Sequence, residues 1–151
     1  MKRIMALDVG ERRIGVAVSD PLGIIARSLA VVKRDTDETA IARIKTLMDE
    51  EDVGRLIVGF PRSLSGAVGP QARAVEAFAR QIESAIDVPV EMWDERLSTV
   101  TAVRVLTERG QSAREQKQTI DAVAAAVILQ DYLDAQRMRA SMRDENEDED
   151  E

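Results

Sequence analysis

The chain of 151 residues contains no histidine and no cysteine. Their absence removes the usual zinc ligands, the thiol nucleophile and the imidazole base, so any catalysis has to run on carboxylates, hydroxyls, amines or a bound metal. Aromatic residues make up only 3%, which excludes a row of platforms for stacking several exposed bases and implies an aliphatic core. No apolar run approaches membrane-spanning length, and the opening MKRIMALDVG turns charged too soon for a secretory signal. A reducing, cytoplasmic setting without membrane contact fits these absences.

A hydrophobic fraction of 44% over this length suits one globular domain with a proper core. The net charge of −7 is unevenly placed, because the terminal DENEDEDE (144–151) alone holds seven carboxylates and no cation. The body of the chain is therefore neutral, and like charges massed at a terminus are usually disordered. The expected organisation is a domain over residues 1–138 followed by an acidic, disordered tail over 139–151.

RIMALDV reads as a strand apolar on both faces, GERR as a turn and IGVAVSD as a second strand, together a hairpin. IIARSLAVVKR supplies a third strand. The following segment, capped by Asp35 with Glu38, places Ile41, Ile44, Leu47 and Met48 on one helical face. RLIVGF is a short buried strand, PRSLSGAVG a loop, and Pro70 opens a helix lined by Val75, Phe78, Ala79, Ile82 and Ile86. VPVEMW forms a fifth strand, DERLST its exit, VTAVRVLTER a helix stopped by Gly110, and QSAREQKQ a polar connector to a last helix over about 119–137. The pattern predicts an α/β fold with a mixed five-stranded sheet, three strands antiparallel and two parallel, flanked by helices.

Asp8 ends the most buried strand, and Asp94 and Glu95 end one that should run parallel to it; sites in such sheets form at the carboxyl ends of strands. Adjacent residues at an extended exit point to opposite sides, so one of the two should meet Asp8, and Glu95 is favoured. Asp94 is then left to bond amides at the start of the next helix. On the last helix Asp121 shares a face with Ala125, Ile128 and Tyr132, opposite the solvent face of Gln118, Gln130 and Asp134. It is either a first-turn aspartate favoured by the helix dipole or a ligand turned toward the sheet. Three hard oxygen ligands without histidine or cysteine suit Mg2+ or Mn2+, and two such ions about 4 Å apart can drive phosphodiester cleavage.

ALDVGERRIGVAVSD (6–20), VGFPRSLSGAVGPQA (58–72), DERLST (94–99) and KQTIDAVAAAVILQDYL (117–133) resemble, in order, the four blocks of the bacterial YqgF/RuvX family. The resemblance implies a ribonuclease H-like fold and a metal-dependent nuclease, a Holliday-junction resolvase or a pre-16S rRNA nuclease, with its acidic site on Asp8, Glu95 and Asp121. Phe60 and Ser98 depart from the commoner Leu and Thr of these blocks, away from the acidic positions.

Candidates for holding structured RNA or branched DNA are Arg12 and Arg13 after Asp8, Arg62 and Arg73 flanking the glycine-punctuated loop, Arg96 beside Glu95, and Lys117 one turn before Asp121. Gly10 would let backbone amides approach a phosphate. Each cation can also be read as a solvated surface group, and Arg13 is favoured over Arg12. A resolvase would need a two-fold homodimer with paired sites, whereas an RNA nuclease can act as a monomer. Two other readings stand beside the nuclease. One is a nucleotide-handling relative of the actin and sugar-kinase group, suggested by DVGERRIG; the other is a noncatalytic ribosome-assembly module.

Overall fold

The computed structural model describes residues 2–61, 69–94 and 113–149, with the side chains of 113–122 and 144–149 outside the description. Its elements are β1 (Arg3–Val9), β2 (Arg13–Ser19), β3 (Ala26–Lys33), α1 (Asp37–Glu50), β4 (Val53–Phe60), α2 (Pro70–Ala85), β5 (Val90–Asp94) and α3 (Ala113–Glu149).

One sheet holds all five strands in the order β3-β2-β1-β4-β5. β1 and β3 each run antiparallel to β2, and β4 runs parallel to both β1 and β5. This is the predicted mixed sheet, with β1 at its centre. Centrality follows from composition, since a strand apolar on both sides is stable only when both sides are covered.

Strand alternation sends the residues of β1 to two different layers. Met5, Leu7 and Val9 pack with Ile14, Val16, Val18, Leu56, Val58 and Phe60 under the buried faces of α1 and α2. Ala6 turns the other way and packs with Ala17, Ile57 and the α3 residues Ala124, Ala125, Ile128, Leu129, Tyr132 and Leu133.

Three local readings are corrected. The cap of α1 is Thr36, not Asp35: its hydroxyl accepts from the Thr39 amide at 3.0 Å, and the Thr39 hydroxyl reaches back to the Thr36 amide. A Thr pair thus does what was expected of Asp35 and Glu38. The polar segment read as a connector is already helical from Ala113, because Ala, Arg, Glu, Lys and Gln are strong helix formers whatever their polarity. At its other end α3 continues past residue 137 to Glu149, through a stretch without glycine or proline to stop it. The readings of 62–68 as a loop and of 100–109 as a helix lie outside the described residues.

Candidate active site

Asp8 is the last but one residue of β1, only 8% exposed, and one of two buried polar residues among those described. Alternation puts it on the α3 side of the sheet, in line with Ala6. Its partner across β2 is Gly15. Continuing the β1–β4 register one step beyond Leu7–Val58 brings Gly59 to its other flank. Glycines inside strands weaken them and mark places where another group approaches the backbone closely. Asp8 thus stands between two positions that carry no side chain. The sequence reading missed both glycines, although their interruption of otherwise β-branched strands was a visible signal.

The turn after Asp8 is tight. The Gly10 amide donates to the Arg13 carbonyl at 2.9 Å, and a Cβ on residue 10 would lie 2.6 Å from that oxygen, so only glycine fits. That amide therefore closes the turn instead of facing a phosphate. Arg34, not singled out from sequence, holds the turn from below. Its amide donates to the Arg12 carbonyl at 2.9 Å and its guanidinium to the Gly10 carbonyl at 2.9 Å. The same guanidinium pairs with Asp37 at 2.8 Å and lies 4.8 Å from the centre of the Phe78 ring. The Arg34 guanidinium holds the Asp37 carboxyl below the ordinary carboxylate value.

Arg13 shares the strand face of Gly15 and hence of Asp8, while Arg12 is exposed at the tip. Arg73 is exposed in the first turn of α2. At the other strand end, Asp94 pairs with Phe60 and lies with Val90 and Met92 on the α1/α2 side, away from Asp8. Trp93 takes the α3 side. Glu95, Arg96 and Arg62 fall outside the described residues; positions 117 and 121 lie on the backbone of α3, the latter one turn before Ala124 and Ala125. No trio of metal-ligating side chains occurs among the described residues, two of the three expected carboxylates being outside them.

Two polar anchors fix α3 against opposite edges of the sheet. Gln130, expected on the solvent face, accepts from the Ala26 amide at 2.9 Å and donates to the Ile24 carbonyl at 3.0 Å. Tyr132 accepts from Arg55 at 3.1 Å, donates to Glu91 at 3.2 Å, and meets Trp93 edge-on with ring centroids 5.4 Å apart. Burial is the main cause that raises the Tyr132 hydroxyl above its ordinary pKa, so it stays a protonated donor.

Strand order, mixed pairing and flanking helices define a ribonuclease H-like α/β fold. The crystal structure of the fowlpox virus Holliday junction resolvase shares it, with a TM-score of 0.52 at 14% identity over 88% of this chain and 99% of that one. The chain belongs to the family described as "RuvX: Holliday junction resolvase", whose model matches residues 2–135. A relative from Desulforamulus reducens is 48% identical over 88% of this chain and 97% of its own length, and one from Moorella thermoacetica is 50% identical over 87% and 94%. Both carry the name "Putative pre-16S rRNA nuclease". Among the described residues no helix is long and apolar enough to cross a membrane.

Proposed function

We propose that this chain is a nuclease that hydrolyses phosphodiester bonds in structured nucleic acid, using divalent cations held by Asp8, Glu95 and Asp121. The observation that carries the reading is Asp8 itself: a carboxylate held almost out of solvent, at the carboxyl end of the central strand, between Gly15 and Gly59. In a chain with no histidine or cysteine an oxygen-only donor set fits Mg2+ or Mn2+. Family membership and the names of the relatives support the nuclease reading.

Glu95 rather than Asp94 completes the pair with Asp8. This is supported by Asp94 lying on the opposite side of the sheet, since the next residue of an extended strand faces the other way. A place for Asp121 beside them is supported by the course of α3, whose Gln130 and Leu133 pack at residues 23–26, beside the start of β1. The helix therefore climbs toward the end of β1 as it is followed back to 121. When bound, two such ions would supply an acidified water and charge stabilisation for the leaving oxygen. The carboxylates of the chain orient them, and Arg13, with Arg12, Arg62, Arg73, Arg96 and Lys117, offers positive charge to substrate phosphates. The domain is taken as residues 1–138, with the acidic 139–151 as an appendage outside the catalytic unit.

The test is cleavage of a pre-16S rRNA fragment and of a four-way DNA junction, side by side, with Mg2+ or Mn2+. The Asp8→Asn protein is expected to lose more than about 100-fold in rate, beyond what outer-shell changes do, with its melting temperature preserved. Full cleavage by that variant removes the assignment. Preference for RNA by a monomer supports the rRNA reading; junction cleavage by a two-fold dimer, measured by light scattering, supports the resolvase.

A further inference from the structure

The sheet carries the first two proposed ligands on strands, but the third rides on a helix that has to be held in register with them. We propose that the cluster of Tyr132, Arg55, Glu91 and Trp93 is a positioning device that sets the metal affinity of the site by locking α3 to β5. The inference rests on the metal-site reading above and deepens it.

Tyr132 is 1% exposed, and its ring and hydroxyl both touch the β4–β5 side of the sheet. Arg55 on β4, Glu91 on β5 and the Tyr132 hydroxyl close a triangle of contacts at 3.1, 3.2 and 3.3 Å. The edge of the indole at Trp93 completes the joint. Trp93 is two residues before Glu95 in the chain, and Tyr132 lies eleven residues, three helical turns, after Asp121 on the same helix. The joint therefore ties together the two elements that bring Glu95 and Asp121.

Gln130 anchors the same turn of α3 to the β3 edge, so the helix is held from both sides at one level. Held so, it can neither roll nor slide across the sheet without breaking one anchor. The alanines between the anchors and position 121 make this control direct. Ala124 and Ala125 share one fully buried, close-packed cluster with Ala6, Ala17, Ile57, Ile128 and Leu129, which leaves little free space to absorb a small rotation. Loss of the Tyr132 hydroxyl would let α3 turn about the Gln130 anchor, and the helix backbone at position 121, three turns away, would shift with it. Misplacement of a ligand weakens binding before it abolishes it.

The experiment is calorimetric titration with Mn2+ of the full chain, wild type against Tyr132→Phe, with Glu91→Gln as a second variant. Ile44→Val, in the core under α1 on the other face, serves as a stability control. Both joint variants are expected to bind Mn2+ about 5-fold or more weakly. The metal concentration for half-maximal cleavage should rise in step, while Ile44→Val, with a comparable fall in melting temperature, binds as wild type. Unchanged Mn2+ affinity in the two joint variants, or an equal loss in Ile44→Val, overturns the positioning role. A wild type that binds Mn2+ but cleaves nothing fails the nuclease reading alone; one that binds none overturns the metal site and this inference together.

Discussion

On one face of the sheet β1 presents Met5, Leu7 and Val9 to α1 and α2; on the other it presents Ala6 and Asp8 to α3. The first layer is bulky and apolar, with Leu56, Val58, Phe60, Phe78 and Ile82 completing it. The second combines the large Ile57, Ile128, Leu129, Tyr132 and Leu133 with alanines on both sheet and helix and with a glycine beside the carboxylate. Large side chains fill a core and exclude water, which stabilises the fold. Small ones let a helix come close to the sheet. One strand thus gives its odd positions to the bulky layer and its even ones to the side of the proposed site.

The two faces separate most sharply at two neighbouring residues. Leu7→Ala removes a fully buried side chain from the bulky layer and is expected to cost about 2–5 kcal/mol, the usual range for such a cavity. For a chain of this size that lowers the melting temperature by about 4–20 °C. Cleavage per folded molecule, measured well below the transition, should remain. Asp8→Asn should do the reverse. If Leu7→Ala destroyed cleavage in molecules that circular dichroism shows to be folded, the two faces would not be separable.

A smaller effect is expected on the other side. Ala125 is fully buried between α3 and the sheet. Ala125→Leu overpacks that contact and should cost about 1–3 kcal/mol. Although milder for stability than Leu7→Ala, it should depress cleavage more, because the added side chain lifts the helix that carries position 121. Urea denaturation and a rate measurement on one preparation give both numbers. A variant destabilised but fully active would show that the spacing of α3 from the sheet does not matter to the chemistry.

Much of this division is legible in the amino-acid sequence. Apolar periodicity marks the strands and the order of pairing, and the place of Asp8 at the end of an apolar strand marks it as buried. What escapes are relations between residues distant in the chain. Gln130 looks like a solvent residue because helical periodicity knows nothing of the Ile24 carbonyl and Ala26 amide, which need partners where α3 crosses them. Arg34 is one cation among many until the fold brings the turn at Gly10 and the ring of Phe78 to it. The cap falls on Thr36 instead of Asp35 because both are good capping residues and only the backbone path decides between them. Polarity suggests a connector at 111–118, where propensity is the better guide.

The weakest expected effect tests whether the bulky side supports the turn after Asp8 through packing or through charge. Arg34 reaches that turn while paired with Asp37, whose side chain is 35% exposed. A pair so open to solvent contributes at most about 1 kcal/mol. The carboxyl of Asp37 is held below its ordinary value of 3.8 by Arg34, so the folded state favours the ionised form. Its contribution is therefore complete at neutral pH and is lost as the pH falls from that ordinary value through the lowered folded one. Asp37→Asn should be slightly less stable than wild type at pH 7, with the difference vanishing in acid below both values. Urea midpoints at neutral and acid pH measure it. Cleavage at neutral pH is expected to be unchanged, because the Gly10 carbonyl and the Phe78 ring still hold Arg34 in place. A large loss of cleavage would mean that the ion pair, and not the packed layer beneath it, sets the turn that carries Arg13 to the side of Asp8.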